Sequence, residues 1–536
     1  MPFDGCHRRV RNPPASAPAV RQTAGMAIDE ESAYRAVRSR DRRFDGMFYT
    51  GVRTTGIYCR PSCSARTPHR RNVGFYASAA AAQRAGFRAC KLCRPDATPG
   101  SAEWNVRADL AGRASRLICD GVLDRDGVAG LARRLGYSER QVSRAVVSEL
   151  GAPPLALARA QRAQTARILL ETSSLPASDV AFAAGFASVR QFNDTIREVF
   201  DATPTGLRAH RQGRAANAPA AGLLDLRLPY RVPMTLATTL AFLARRAIPG
   251  VEDFDGTTYT RTVPLPHGPG LIAVTERSTA CCADGQRPGG TPHVHARLRL
   301  TDHRDLAAAV ARTRRLLDLD ADPVAVDEVL RSDPTVRPLA LAFPGLRSPG
   351  AVDGFEMAVR AVVGQQVSIA AARTVLGRIA ADHGSPAFDG EPGWLSFPHP
   401  SVLAEADPVR LPMPVARGRT IVSLAARMAG GELVLDAGAD RDAARAALLE
   451  LRGIGPWTAE YLQMRATGDP DVFLASDLGV RHALTALGGE PAESASAFAP
   501  WRSYLTHQLW ASLPAPPGAA RRTYSSPTAR SAKDIR

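Results

Sequence analysis

The sequence predicts a multidomain α+β protein in which helical regions alternate with smaller mixed regions. A chain of 536 residues is too long for a single hydrophobic core and should divide into several domains. Apolar residues follow the helical period across 105–211 and 343–512. They alternate with polar residues in LLDLRL (223–228) and HVHARLRL (293–300), which is typical of half-buried strands.

Composition shifts divide the chain into seven segments. The small residues of RAANAPAAG (214–222) indicate a linker between the two halves. The segments are a disordered arm (1–25), a cysteine-containing domain (26–103), a helical domain (104–211), a linker (212–222), an α/β domain (223–342), a second helical domain (343–514) and a basic tail (515–536).

Charge is concentrated in the first half. Residues 1–214 carry 34 Lys+Arg against 19 Asp+Glu, whereas residues 215–536 carry 34 against 33. A compositional preference for arginine explains why the chain has only two lysines, but it does not explain the excess of base over acid. The excess therefore predicts a nucleic-acid partner.

The sequence also indicates a compartment. No apolar run reaches eighteen residues, so we expect neither a spanning helix nor a membrane partner. The first 25 residues are rich in Arg, Pro and Ala and lack the apolar core of a secretory signal. Eight cysteines are few for this length, and four of them cluster at metal-binding spacing, which favours a reducing cytoplasm.

The cysteine cluster has the spacing C-x3-C (Cys59 and Cys63), 26 residues, then C-x2-C (Cys90 and Cys93). Four thiolates at such spacing suit tetrahedral Zn²⁺, and the bound ion would stabilise the small domain around it. Taken alone, this pattern is that of a structural zinc clip.

The residues around the cysteines extend this interpretation. FYTGVRTTGIYCRPSCSARTPHRRNVGFY and AGFRACKLCRPD resemble the N-terminal domain of the Ada family of alkylation-response proteins, over about 70 residues. The resemblance implies that Cys59 is both a zinc ligand and the nucleophile that removes a methyl group from a DNA methylphosphotriester. Cys63, Cys90 and Cys93 would complete the ligand set. A zinc module without methyl transfer is the alternative.

Methylation of such a centre would change its charge. Four thiolates on one divalent ion leave a net charge near −2, and converting Cys59 to a thioether removes one negative charge. The less negative surface then approaches DNA phosphates more readily. The arginines expected around it are Arg53, Arg60, Arg66, Arg70 and Arg71.

A first helix-turn-helix unit is predicted in DGVAGLARRLGYSERQVSRAVVSELG. Gly136 falls at the turn, and Ser138 can cap the following helix. This geometry would direct Arg140, Gln141 and Arg144 at a DNA groove.

A second unit follows in PASDVAFAAGFASVRQFNDTIREVFDATPTGLRAHR, which resembles the signature of the AraC family. Its DNA-binding candidates are Arg190 and Gln191, whereas Asn193 and Asp194 stand where that family often has a cation. The two units resemble the double DNA-binding domain of AraC-type activators, so promoter DNA is an expected partner and RNA polymerase is a candidate one.

The C-terminal half contains LRGIGPWTAEYLQMRATGDPDVFLASD, which resembles the helix-hairpin-helix DNA glycosylases of the AlkA type; the resemblance covers 223–512. It implies a hairpin of Gly453, Ile454 and Gly455 whose backbone N–H groups face a phosphate. It also implies that the Asp477 carboxylate assists departure of an alkylated base such as 3-methyladenine. Locally, Asp477 is equally a helix N-cap.

The same resemblance predicts the base pocket. Trp457, Tyr461 and Trp510 match its aromatic positions, where a cationic alkylated purine gains a charge–quadrupole attraction; a core role is the alternative for Tyr461. Gln366 matches the residue that fills the gap left by the flipped nucleotide. That residue is apolar in AlkA, so a polar wedge departs from the pattern.

The absence of lysine refines the expected chemistry. No lysine lies between Lys91 and Lys533, so this half cannot form a lysine Schiff base, and lytic relatives carry lysine where Trp457 stands. We therefore expect a monofunctional hydrolase. The competing hypothesis is a transcription regulator whose C-terminal half binds DNA without excision.

Overall fold

The structure is a computed structural model that describes residues 30–40, 44, 45, 47–63, 65–90, 92, 93, 95, 109–173, 175–212, 223–275, 292–388, 393–489 and 495–513. The predicted disordered arm, the predicted basic tail and most of the predicted linker lie outside these ranges. In the part of the chain that is described, no helix combines the length and apolarity needed to cross a membrane. The predicted multidomain α+β class is confirmed.

The cysteine-containing region forms a four-stranded sheet with strand order β3-β1-β2-β4 and two helices. Its elements are α1 (Glu30–Ser39), β1 (Tyr49–Val52), β2 (Ile57–Cys59), β3 (Val73–Tyr76), α2 (Ala79–Arg84) and β4 (Arg88–Ala89). The rings of Phe48, Tyr58 and Phe75 are fully buried in it. Gly51 is required on β1, because a Cβ there would lie 2.7 Å from the Tyr76 ring. The aromatic side chains thus pack directly on the strand backbone.

The next region is entirely helical. It consists of α3 (Asp109–Cys119), α4 (Val122–Leu135), α5 (Glu139–Leu150), α6 (Pro154–Thr172), α7 (Ala177–Ala183), α8 (Val189–Phe200) and α9 (Pro204–Gln212). As predicted, Gly136 makes the turn before α5 in a left-handed conformation (φ 77°), and the Ser138 side chain caps α5. Gly185 (φ 83°) and Ser188 do the same before α8. The chain therefore builds the same helix-turn-helix twice.

The third region is a five-stranded antiparallel sheet with strand order β5-β9-β8-β7-β6. Its elements are β5 (Leu223–Pro229), α10 (Leu236–Ala244), β6 (Glu252–Phe254), β7 (Thr258–Val263), β8 (Gly270–Thr275), β9 (His293–Leu300) and α11 (Leu306–Leu316). The alternation read from the sequence is present: Val294, Ala296, Leu298 and Leu300 share the buried face of β9.

The last region is helical with one short two-stranded ribbon that the sequence did not predict. It contains α12 (Pro323–Ser332), α13 (Arg337–Ala342), α14 (Gly354–Val363), α15 (Ile369–His383), β10 (Ser385–Pro386), β11 (Leu395–Ser396), α16 (Pro400–Ala404), α17 (Val415–Ala429), α18 (Arg441–Leu449), α19 (Pro456–Arg465), α20 (Leu478–Ala486) and α21 (Arg502–Ser512). Helices α12 and α13 share a hydrophobic cluster with α20 and α21. Packing therefore continues across the proposed boundary at 342/343.

A buried ion network joins the sheet to the last region. Arg261 on β7 donates to Glu252 (3.0 Å) and to Glu356 on α14 (2.6 Å), and Arg360 donates to both carboxylates. Burial alone would raise the pKa of Glu252, but Arg360 and Arg261 outweigh it and lower the pKa from 4.5 to about 2. The network is a group of paired charges that lies buried between the sheet and α14.

We predict that Glu252→Gln lowers the stability of this half by about 3–5 kcal/mol, because it leaves two buried guanidinium groups with one carboxylate. Chemical denaturation followed by tryptophan fluorescence measures this, since four of the five tryptophans lie after residue 390. Asp253→Asn, on the exposed side of the same strand, is the matched control and should have little effect.

The same carboxylate also sets an acid dependence. Because folding lowers the pKa of Glu252, its contribution is fully present above pH 4.5 and is lost as the pH falls towards 2. Glu252→Gln should flatten the loss of stability in that window; an unchanged acid profile would contradict this account.

Candidate functional site

The four cysteines converge through the sheet of the first region. Cys59 ends β2, and Cys90 directly follows β4, which pairs with β2 in parallel. The Cys90 N–H donates to the Tyr58 carbonyl (3.0 Å), and the Cys63 N–H closes a turn on the Arg60 carbonyl (3.1 Å). The four sulfur atoms, completed by Cys93, lie within 4.8 Å of one another.

This donor set fits zinc. Bonds of about 2.3 Å from a tetrahedral ion would place the sulfur atoms about 3.8 Å apart, within the observed spread. Four thiolates this close together would repel one another, because each negative charge disfavours the next deprotonation. Four crowded thiols therefore need a divalent cation to become four thiolates, which is the chemistry of a zinc–cysteine centre.

The four ligands differ in exposure. Cys90 and Cys93 are buried, whereas Cys59 and Cys63 are partly exposed. Cys59 and Cys63 are thus the two cysteines of the cluster that solvent reaches. They are therefore the ligands that another molecule can approach, and the buried pair anchors the site.

Asp45 supports the turn between the first two ligands, and the sequence did not reveal it. Its buried carboxylate accepts hydrogen bonds from the Ser62 N–H (2.9 Å) and the Ser62 hydroxyl, and it lies 3.5 Å from the Arg60 Nε. Residues 60–62 connect Cys59 to Cys63, so Asp45 orders the loop on which the outer ligands sit.

The predicted DNA-contacting residues of the helix-turn-helix units lie at equivalent positions. Arg140, Gln141 and Arg144 are exposed on α5, and Arg190 and Gln191 are exposed on α8. The Gln141 side-chain oxygen accepts from the Ser138 N–H (3.0 Å), and that of Gln191 accepts from the Ala187 N–H (3.3 Å). Both glutamines therefore help to cap their helices, which leaves their amide N–H groups for a partner.

The hairpin between α18 and α19 has the backbone that the sequence predicts. Gly453 takes a left-handed conformation (φ 95°), and a Cβ there would lie 2.3 Å from the Thr420 hydroxyl. Gly455 is the exposed N-cap residue of α19, with open space where a Cβ would be. The Ile454 side chain is buried, so only its backbone can reach a phosphate.

Asp477 lies between two tryptophans. Its carboxylate accepts from the Trp510 Nε1 (2.9 Å), the Trp457 Nε1 (3.2 Å) and the Val480 N–H (3.0 Å). Trp457 stacks on Tyr461 with ring centroids 5.3 Å apart and planes within 10°. The structure therefore joins all four predicted residues in one aromatic cluster, where Asp477 is also the N-cap of α20.

Further residues of the pocket escaped the sequence analysis. Phe242 on α10 stacks on Trp510 (6.0 Å, 17°), and Arg465 donates to the Tyr461 hydroxyl (3.2 Å) and lies over the Phe242 ring. Arg246 also lies over Phe242, and burial lowers its pKa to about 10, so it stays charged at neutral pH. Phe242 and Arg246 come from the α/β region, and no local pattern marks them as pocket residues.

The predicted wedge lies in a tight turn. Gln366 is exposed and has a left-handed backbone (φ 56°) in the turn between α14 and α15. Its neighbour Gln365, which the sequence analysis did not select, donates to the Gly453 carbonyl (2.9 Å) and the Thr458 hydroxyl (3.0 Å). The wedge turn is thus tied directly to the hairpin.

Comparison with known proteins gives matches over these same regions. Residues 32–96 match the family described as the metal binding domain of Ada, residues 131–210 match a helix-turn-helix domain, and residues 225–353 match the AlkA N-terminal domain. The zinc centre identified from the four cysteines is therefore of the Ada type.

Similar proteins include one from Mycobacterium tuberculosis named "Probable bifunctional transcriptional activator/DNA repair enzyme AlkA", 52% identical over 92% of this chain and 98% of its own length. The Escherichia coli DNA-3-methyladenine glycosylase 2 is 32% identical over 53% of this chain and 95% of its own length. The Escherichia coli bifunctional transcriptional activator/DNA repair enzyme Ada is 51% identical over 13% of this chain and 20% of its own length. The chain thus belongs to the family of bifunctional transcriptional activators and DNA repair enzymes that join an Ada-type zinc domain and helix-turn-helix units to an AlkA-type half.

Proposed function

We propose that this protein senses and repairs alkylated DNA through two separate sites. The zinc–cysteine centre accepts a methyl group from a DNA methylphosphotriester and activates transcription, and the C-terminal half hydrolyses the glycosidic bond of alkylated bases such as 3-methyladenine. The observation that carries the second activity is a carboxylate, Asp477, held by two indole N–H groups in an aromatic pocket beside a glycine hairpin.

The pocket suits a flipped, cationic base. Trp457, Tyr461 and Trp510 offer ring faces to a purine that carries positive charge, and such stacking is strengthened by the ring quadrupole. The N–H groups of the hairpin and the turn at Gln366 are placed to hold the duplex from which the nucleotide leaves. Gln365 keeps these two elements in register through the Gly453 carbonyl.

Excision then needs stabilisation at the sugar. The bond between C1′ and N9 breaks, and its electron pair neutralises the cationic base, so little acid catalysis is required. Positive charge builds on the sugar, where the Asp477 carboxylate stabilises it or activates the water that adds to C1′ and loses a proton. The two tryptophan N–H donors and the Val480 N–H keep this carboxylate oriented.

A monofunctional reaction agrees with the residues of the pocket. Trp457 occupies the first turn of α19, and lysine is absent from all positions between 91 and 533. Without an amine to attack C1′, water is the nucleophile and the product is an abasic site.

At the zinc centre, a bound Zn²⁺ would hold the four sulfurs as thiolates at neutral pH. The Cys59 sulfur attacks the methyl carbon; the S–C bond forms as the C–O bond breaks, and the phosphodiester anion leaves. Cys59 becomes a thioether, so each protein molecule reacts once. Asp45 supports this step by ordering the loop that carries Cys59 and Cys63.

Transfer to Cys59 also changes the surface that DNA meets. One negative charge disappears from a site flanked by the exposed Arg66 and Arg71. The exposed arginines of α5 and α8 add a sequence-reading surface in the same half. An activator of this kind acts on RNA polymerase, which is the proposed protein partner, in the reducing cytoplasm that a metal-binding cysteine cluster favours.

We expect a methylphosphotriester duplex to add one methyl mass to the peptide that contains Cys59, and Cys59→Ser to abolish the addition. Intact and peptide mass spectrometry measure it. Cys119→Ser, which changes a cysteine outside the cluster on α3, is the control and should react normally. A methyl group found on Cys63 instead would reject the assignment.

We expect the methylated protein to bind promoter DNA about 3- to 30-fold more tightly than the unmethylated protein, since one unit charge near a phosphate is worth on the order of 1 kcal/mol at a wet surface. The difference should shrink as salt is raised. Fluorescence anisotropy at several salt concentrations tests this, and equal affinities of both forms at low salt would exclude the electrostatic switch.

We expect Asp477→Asn to slow excision of 3-methyladenine by about 100-fold or more, because one strong electrostatic contact with the developing charge is lost. Asparagine still caps α20, so the fold should persist. Single-turnover release of the base measures the rate, and duplex binding and methyl transfer to Cys59 serve as internal controls. Excision at the wild-type rate would instead favour the alternative, a regulator whose C-terminal half only binds DNA.

A further inference from the structure

One face of α3 is covered by the other half of the chain. Arg113, Arg116, Leu117 and Asp120 follow the helical period and share this face. Arg113, Leu117 and Asp120 are only 3, 2 and 7% exposed. Partners of this face lie in the C-terminal half, more than 190 residues further along the chain.

The first partner is the segment 436–440, which precedes α18. The Arg113 Nε donates to the Gly438 carbonyl (2.8 Å), and its Nη1 binds the Asp440 carboxylate (3.1 Å). The Arg116 Nε donates to the Ala437 carbonyl (2.6 Å). Two guanidinium groups thus bind consecutive carbonyls and the carboxylate at the end of the segment.

The second partner is α11. The centre of the whole contact, where Leu117 meets the segment 436–440, is tightly packed. Asp120 binds Arg312 through both carboxylate oxygens, at 3.1 and 3.2 Å. Leu117 lies against Gly438 so closely that a Cβ on this glycine would be 2.5 Å from the leucine side chain. Charged groups therefore surround an apolar contact that leaves no room for another methyl group.

We propose that this face of α3 is a docking surface for the C-terminal half of the same chain, and that it holds the two halves together independently of the covalent linker. Withdrawing Arg113 and Asp120 from water is costly unless both are paired. Arg113 also donates to the Leu135 carbonyl and Asp120 also pairs with Arg125 in the first half, but the Gly438 carbonyl, the Asp440 carboxylate and the Arg312 guanidinium come from the C-terminal half. The docked state is therefore the one in which these charges gain their full set of partners.

Docking links the two DNA-binding elements. Asp440 is the N-cap of α18, and α18 leads into the hairpin of Gly453 and Gly455. On the other side, α3 packs against α5, which carries Arg140 and Arg144. The first helix-turn-helix unit and the hairpin are therefore connected through packed elements with a fixed relative position.

The test is to cut the linker. A protease site is introduced between residues 213 and 222 of the full-length chain, and the cleaved protein is analysed by size-exclusion chromatography and sedimentation over a dilution series. The two halves should co-elute at micromolar concentration. Separation of the wild-type halves immediately after cleavage would overturn the proposal, and the readout requires neither methyl transfer nor excision.

Two variants locate the contact. Asp440→Asn keeps a residue that caps α18 but loses the ion pair with Arg113, so it should weaken association of the cleaved halves about 10-fold or more. Asp442→Asn removes an exposed carboxylate from the first turn of the same helix and should leave association unchanged.

Gly438→Ala provides a second, steric test. Its methyl group collides with Leu117, so association should weaken by about 10-fold, and Leu117→Ala in the same chain should restore part of the loss. Thermal unfolding before cleavage checks that each variant is folded. Unchanged association in both Asp440→Asn and Gly438→Ala would show that this face does not hold the halves together.

Discussion

Buried guanidinium groups make contacts between the regions of this chain. Arg231 donates to the Asp45 carbonyl, Arg113 reaches the segment 436–440, and Arg261 bridges the sheet and α14. A guanidinium offers five donors in one plane, so a single side chain can satisfy carbonyls and carboxylates from several elements. The cost is that every such group must find its acceptors, because an unpaired buried charge destabilises by several kcal/mol. The buried arginines therefore define the position at which two regions meet, because their acceptors must all lie within reach.

The aromatic cluster around Asp477 depends on such contacts between regions. Phe242 comes from the α/β region, Trp457 from the helix after the hairpin and Trp510 from the last helix. Arg465 binds the Pro349 carbonyl and the Tyr461 hydroxyl, which fixes one wall relative to α14 and its ion network. If the α/β region moved, Phe242 would leave Trp510 and the pocket would open. This gives α10 of the α/β region a direct part in shaping the proposed base site.

The zinc centre is also connected to the other regions through buried arginines. The residue whose carboxylate orders the Cys59–Cys63 loop, Asp45, offers its carbonyl to Arg231, and Arg347 in turn donates to the Arg231 carbonyl (2.6 Å). The two proposed activities occupy separate sites, yet the elements that support them touch. In each site, neighbouring side chains orient the group to which we assign the reaction: Asp45 orders the loop between Cys59 and Cys63, and two tryptophans hold the Asp477 carboxylate.

Local patterns carried much of the prediction. Cysteine spacing, Gly136 and Ser138 before α5, the glycines of the hairpin and the alternation in β5 and β9 are all encoded within about ten to thirty residues, because backbone conformation and ligand spacing are short-range properties. Cys59, Gly453 and Asp477 were selected because their segments resemble the Ada and AlkA families, and the structure then brought Asp477 together with Trp457, Tyr461 and Trp510.

The supporting contacts could be found only in three dimensions. Asp45, Phe242 and Arg312 have no distinguishing neighbours in the sequence, and their partners are contributed by elements that pack from elsewhere in the chain. The carbonyl to which a buried arginine donates depends on how two surfaces meet. The way they meet is determined by the packing of all the side chains on both surfaces. The sequence by itself determined the chemistry of the groups in each site; the tertiary structure decided how those groups are held, because orientation arises from contacts that no local pattern contains.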